Sequence, residues 1–413
     1  MNIIVFAYLD PGSGSALIGT IIAVIGAGLY SLKELFYKLF RKPLPTEIEA
    51  KRNANPDIAI FSEGKNYWGT FEEIVGELIL RKVHFFYYTI DLHDPALLID
   101  NEYMHSHLYD KRKSTSFHKL SNIKAKILLS TTPNIGTPGY PLARPSKVQK
   151  LVHIFHAFAD ISAYHIGSLD HYDIVFAVGP HQERFIREVE KARGLKSKMI
   201  IPIGLPYFDA QYHAIQNSES YSKPNSRTTI LVAPSWGAKG LLTEYGIDFI
   251  LKLAKAGFDI IVRPHPQSYI AEADFINQCK RETSKYSNVV WDSETIGTKS
   301  MKVSDVLISD TSSIRFDYAF LYEKPVLTLD IPSEKQLEYE GQFMSEVWTD
   351  SVAIRLGRVV GHKDIDNIVD IIKEMLSEVH VKEGLRLCRD ETITNLGTSA
   401  KAIVDGLLSL RDR

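Results

Sequence analysis

The stretch from Thr229 to Leu329 constrains this chain most, because short apolar runs and helical patterns alternate through it without interruption. Strand-like runs at 229–233, 259–262, 289–291, 306–308 and 326–329 are separated by helical patterns at 243–256, 270–283 and 312–322. Parallel strands need crossover connections, so the alternation predicts a parallel sheet covered on both faces. A second series precedes it: a strand at 57–61, a Gly-containing loop at 62–69, a helical pattern at 70–81 and a strand at 83–90. Further strands are expected at 125–129, 151–155, 174–178 and 198–201, with Pro180 in the first turn of a helix running to about Ala192. The chain has 413 residues, more than one core usually supports. The polar stretch 204–225 suits a crossing, which gives two α/β domains, 55–215 and 225–413, after a segment 1–54. Residues 91–122 carry no clear pattern.

The first segment has a different character. No charged residue occurs from Pro11 to Leu32, and Ala16 to Tyr30 is almost wholly apolar, which predicts a membrane helix. An interfacial hairpin is the alternative, and Leu32 to Phe40 is amphipathic enough to lie along a surface. Lys33, Lys38, Arg41, Lys42, Lys51 and Arg52 outnumber the nearby Glu34, Glu47 and Glu49, which places the following domains in the cytoplasm. A net charge of −2 offers nucleic acid no general attraction. Cys279 and Cys388 are too far apart in sequence to suggest a disulfide framework or a metal knuckle.

In open α/β sheets the ligand sits beyond the carboxyl ends of the strands, and that rule selects residues. Ser309, Asp310, Thr311, Ser312 and Ser313 lie between a strand and a helix start, where unpaired N–H groups, the helix dipole and hydroxyls suit a phosphate. Plain N-capping accounts for the same residue types. Arg263 and His265, in Arg-Pro-His-Pro, follow the strand ending at Val262; guanidinium and imidazole both suit a diphosphate, and an incidental loop histidine is the alternative. Ser235 and Gly237 occupy the first strand-to-helix turn of the second domain, with binding and packing both open for this loop and its Trp236.

In the first domain, strand alternation puts His153 and His156 on opposite faces and excludes a shared metal site. His156 lies just past its strand, where an imidazole suits proton abstraction or serves only structure. His165 and His171, in the next loop, are weaker acceptor-side candidates.

The segments HIFHAFAD, YDIVFAVGP, IPIGLPYFD, LVAPSWG, RPHP and ISDTSSIRFDYAFLYEKPVL together resemble the CDP-glycerol glycerophosphotransferase family of teichoic acid synthesis, over roughly 145–330. The resemblance implies a GT-B-like arrangement: two facing Rossmann-like domains with parallel sheets, here preceded by the N-terminal membrane helix. It also implies transfer of a polyol phosphate, glycerol phosphate first, from a CDP-activated donor to a hydroxyl of a lipid-linked glycan or polyol-phosphate acceptor. By position, His156 resembles the family's base, His265 its Arg-x-His-Pro histidine, and Ser312 and Ser313 its diphosphate-binding serines. Phe155, Ala157 and Phe158 depart from the Trp, Gly and Thr that flank the family's base. The expected site therefore comprises His156 and His265 as catalytic groups. Arg263, Ser235, Gly237 and residues 309–313 contact the donor, with no metal, cofactor or nucleic acid. A GT-B glycosyltransferase or UDP-sugar epimerase-like enzyme is one rival, and a non-catalytic membrane-bound nucleotide or lipid-carrier binder is another.

Overall fold

The structure is a computed structural model, which describes residues 56–112, 115–158, 160–217, 227–237, 240–293, 298–331 and 339–412. The expected membrane segment at 1–54 lies outside the described residues, among which no helix is long and apolar enough to cross a membrane. Residues 55–413 make one compact unit.

Both expected sheets are present and wholly parallel. The first holds β1 (Ile58–Ser62), β2 (Phe85–Thr89), β3 (Met104–Leu108), β4 (Lys124–Ser130), β5 (Lys147–Ile154), β6 (Ile174–Ala177) and β7 (Met199–Pro202), in the order β3-β2-β1-β4-β5-β6-β7. The second holds β8 (Thr229–Ala233), β9 (Asp259–Val262), β10 (Val289–Trp291), β11 (Val306–Ser309), β12 (Val326–Leu329) and β13 (Gly357–Val360), in the order β10-β9-β8-β11-β12-β13. Central strands such as β1, β8 and β11 are buried along their whole length, which is why they read as unbroken apolar runs. The longer helices are α1 (Trp68–Leu80), α2 (Pro180–Arg193), α3 (Pro206–Gln216), α4 (Asp248–Lys255), α5 (Ala273–Thr283), α6 (Ile314–Tyr322), α7 (Ile368–Ser377), α8 (Val381–Thr392) and α9 (Ser399–Arg411).

The local differences from the sequence patterns have physical causes. The pattern at 243–256 breaks at Gly246, whose φ of 64° ends one short helix before α4 begins. The unassigned stretch contains β3, an edge strand whose Met-His-Ser-His-Leu sequence lacks the apolar signal of a central strand.

The last helix departs from the expected domain division. Its Ile403, Val404, Leu407 and Leu410 join Ile74 and Leu78 of α1 over the first sheet, so the chain returns to its first half. Asp209 of α3 fixes the return by accepting the N–H groups of Gly397 (2.7 Å) and Ser399 (2.6 Å) at the start of α9. Gly204 is required there: at φ 103°, an added Cβ would lie 2.1 Å from Ser399 Oγ.

One apolar cluster contains side chains of both halves, among them Phe61 and Leu151 of the first sheet, Leu231 and Leu307 of the second, and Phe316 and Phe320 of α6. Phe158, just past β5, is fully buried in it, with ring centroids 4.8 Å from Phe208, 5.8 Å from Phe316 and 5.7 Å from Phe320. Polar ties surround this core: Tyr207 donates to Asp317 (2.8 Å), Trp348 N–H to Asp160 (2.7 Å), and Arg193 pairs with Glu340 (2.8 Å).

Candidate functional site

Each sheet reverses its strand order once, between β1 and β4 in the first and between β8 and β11 in the second. Such a reversal opens a crevice at the strands' carboxyl ends, because the two connecting loops leave in opposite directions. In the second sheet the loops that diverge are those carrying Ser235 and residues 310–313.

Asp310 ties these loops together. Fully buried, it accepts from Ser235 N–H (3.0 Å), Ser235 Oγ (2.7 Å), Leu241 N–H (2.9 Å) and Ser312 N–H (3.2 Å). Four donors stabilise a carboxylate that would otherwise be costly to bury. The loops are thereby held before any ligand arrives. Ser309 is likewise buried and donates to the Ala233 carbonyl (2.6 Å), joining the ends of β11 and β8. Thr311 and Ser313 are exposed, and no side chain among the described residues caps α6, so the start of that helix presents hydroxyls to solvent. Beneath it lies the buried Arg315, whose Nε donates to the Ser312 carbonyl (3.2 Å) and whose Nη2 donates to that of Thr349 (3.1 Å). Desolvation by burial lowers its pKa, against the raising influence of Asp350 and Asp310.

His265 is exposed beyond β9 and lies 6.3 Å from Trp236, ring centroid to ring centroid. Its Nδ1 accepts from Gln267 N–H (3.1 Å), which in the neutral ring puts the proton on Nε2 and makes that atom a donor. Desolvation lowers the His265 pKa, partly offset by Glu272. Glu272 also accepts from Gly237 N–H (3.0 Å) and helps line a groove of ≈ 660 Å³ with Trp236, Thr243, Ile270 and Phe275.

At the first sheet, His156 is exposed past β5, yet protein surrounds it closely enough that desolvation lowers its pKa. The lowered pKa keeps the ring neutral near pH 7. Tyr67, in the loop after β1, meets His156 edge-on at 5.1 Å. From the same loop Glu63 accepts the Tyr140 hydroxyl (2.8 Å). Between the two edges Phe158, two residues after His156, packs on Phe316 of α6, while Ser235 bonds Asp310 and its chain neighbour Trp236 stacks beside His265.

Residues 151–351 match the model of CDP-Glycerol:Poly(glycerophosphate) glycerophosphotransferase. The chain is a glycerophosphotransferase-like transferase. No curated protein matches it. Among solved structures it is similar to the wall teichoic acid polymerase TagF in a CDPG-soaked histidine variant, with 14% identity, TM-score 0.56, and 94% of this chain and 98% of that one covered. It is also similar to the UDP-GlcNAc 2-epimerase of Methanocaldococcus jannaschii (13%, TM-score 0.54, 85% and 99%) and to that of Neisseria meningitidis bound to UDP-GlcNAc (15%, TM-score 0.53, 85% and 99%). At these identities the likeness is one of fold, and it is the expected GT-B-like one.

The site of this glycerophosphotransferase-like chain differs in detail from its sequence reading. Ser309 and Asp310 are buried and engaged in joining the loops, so neither faces a ligand. Ser235 gives its N–H and hydroxyl to Asp310, and Gly237 gives its N–H to Glu272. Arg263 pairs with Asp292 at 2.8 Å, both largely buried, instead of standing free beside His265. Thr311, Ser312, Ser313, His265 and His156 remain at the strand ends with surface to offer. His165 stacks on Tyr339 at 4.6 Å, and His171 packs beside Gly136, so the two histidines are held on separate supports. Sequence reasoning passed over Glu63, Tyr67, Tyr140, Glu272 and Arg315. Of these, Arg315 alone carried a signal, as a cation in the first turn of a helix where an acid is favoured.

Proposed function

We propose that the chain transfers glycerol phosphate from CDP-glycerol to a hydroxyl of a membrane-linked cell-surface glycan or polyol-phosphate acceptor. The observation that carries this reading is the convergence of the 310–313 loop and His265 on one strand-end region, joined through Asp310, Ser235 and Trp236. A diphosphate suits the exposed hydroxyls and the open start of α6. The TagF structure soaked with CDPG supports the choice of donor.

In the reaction the acceptor oxygen attacks the phosphorus next to glycerol, in line with the bridging oxygen. His156 takes the acceptor proton, and its lowered pKa keeps it unprotonated for that task. The bond between the bridging oxygen and the attacked phosphorus breaks, and CMP departs with that oxygen. His265 Nε2–H and the start of α6 stabilise the charge that develops on it. The uncharged run from Pro11 to Leu32 and the basic flank after it support a location at the cytoplasmic face of a membrane, spanning or peripheral.

The test is incubation of purified chain and a glycerophosphate-ended glycolipid with CDP-glycerol, CDP-ribitol and UDP-sugars, following nucleotide release. CMP from CDP-glycerol, matched by acceptor elongation, is expected. Release of UDP instead would replace the donor assignment, and release of no nucleotide would remove the enzymatic one.

A further inference from the structure

The crevice of the first sheet, between β1 and β4, is built differently from its counterpart. On one side the loop after β1 carries Glu63 and Tyr67; on the other, the β4–β5 connection brings Tyr140 across to donate to Glu63 Oε1 at 2.8 Å. Gly64 makes this approach possible, since at φ 128° an added Cβ would lie 2.2 Å from the Asp91 Cβ, and Asp91 anchors the loop by accepting Lys65 N–H (3.1 Å). At the end of β4 the hydroxyls of Thr131 and Thr132 are buried with no hydrogen-bond partner among the described residues. Orphaned buried hydroxyls are uncommon enough to require an explanation, and a bound polar ligand or water supplies one. The loop after β5 brings His156 against the Tyr67 ring at 5.1 Å.

We propose that Glu63 and Tyr140 form the acceptor subsite, in which the Glu63 carboxylate binds adjacent hydroxyls of a sugar or polyol and presents one of them to His156. A carboxylate offers about four acceptor positions, so the bond from Tyr140 leaves room for ligand hydroxyls. Tyr67 supplies an aromatic surface for the C–H face of a sugar or polyol. Both Tyr67 and Tyr140 are held protonated, by desolvation first and by Glu63 second, so they serve here as neutral donors. The subsite rests on the transferase reading for its role, although not for its existence.

Two measurements on the full chain separate these. Saturation-transfer NMR with glycerol, ribitol and a hexose disaccharide reads binding without turnover, and steady-state kinetics with CDP-glycerol and a glycerophosphate-ended glycolipid reads transfer. Glu63→Gln keeps a carbonyl oxygen for Tyr140 and preserves the fold. It is expected to abolish saturation transfer and raise the acceptor KM at least about tenfold, the worth of a hydrogen bond to a charged group. The donor KM and the pH profile of kcat should stay as in the wild type. Tyr140→Phe should raise the acceptor KM about fivefold. If the wild type turns over while Glu63→Gln keeps the wild-type acceptor KM, the subsite is overturned and the transferase reading stands. If the wild type releases no nucleotide, the NMR arm decides alone: Glu63-dependent binding supports the subsite, whereas no binding, or binding that Glu63→Gln leaves unchanged, overturns it.

Discussion

The two strand-end edges solve opposite problems. In the second sheet one buried carboxylate, Asp310, takes four hydrogen bonds and fixes both crevice loops in place. In the first, Glu63 stays half-exposed among tyrosine hydroxyls, with the unpartnered hydroxyls of Thr131 and Thr132 at the neighbouring strand end. The first arrangement suits a group whose shape and charge never vary, as a diphosphate's do not. The second suits a hydroxyl-rich partner that completes the polar set on arrival. Preorganisation is thus concentrated on the donor edge, where charge develops during transfer.

The largest test of the contrast is chemical. Replacing His156 by Ala should reduce kcat by about 10²- to 10⁴-fold, the usual worth of a positioned acid or base, while calorimetry shows an unchanged melting temperature. Because the ring is exposed and serves no core, a drop in stability would make His156 structural instead. Its neighbour Phe158 should behave in reverse. Fully buried between the halves, Phe158→Ala should cost about 3–5 kcal/mol in denaturant unfolding. Asp310→Asn puts an amide N–H where backbone N–H groups already donate, and should cost on the order of 2–3 kcal/mol while raising the donor KM more than the acceptor KM.

A pair of opposite pH dependences sharpens the contrast further. Burial raises the Asp317 pKa from 3.8 to about 7, against the lowering influence of its bond from Tyr207. A carboxyl with a raised folded pKa binds its proton more tightly in the folded state, so its contribution is greatest below about 4 and is lost as pH rises toward 7. Asp317 keeps part of its surface, and solvent screening limits this to on the order of 1–2 kcal/mol. Asp317→Asn should flatten that slope in unfolding titrations. His153, wholly buried in the first half, has its pKa lowered to about 3 by desolvation first and His156 second. Its sign is the reverse: stability falls as pH drops from 6.5 toward 3, and His153→Phe should remove that loss.

Much of this was legible in the chain because parallel strands buried on both faces announce themselves as short apolar runs. The same patterns put His156 and His265 past strand ends, where the structure has them. What escaped depends on partners distant in sequence. Tyr140 reaches Glu63 across 77 positions and Ser235 reaches Asp310 across 75, so a Ser-Asp-Thr-Ser-Ser motif cannot reveal which of its members is consumed in holding loops. The return of α9 left no local mark either, since its apolar stripe would serve either sheet. β3 escaped for a different reason: an edge strand rich in His and Ser has no need of the apolar run that marks its neighbours.

The most direct measurement of the central claim is the position of CDP-glycerol bound to the full chain, in a crystal or by cryo-electron microscopy. The account predicts the diphosphate at Thr311–Ser313, within hydrogen-bond reach of His265 Nε2, and its glycerol end turned toward His156. A diphosphate seated away from the start of α6, or a glycerol group shielded from His156, would contradict it.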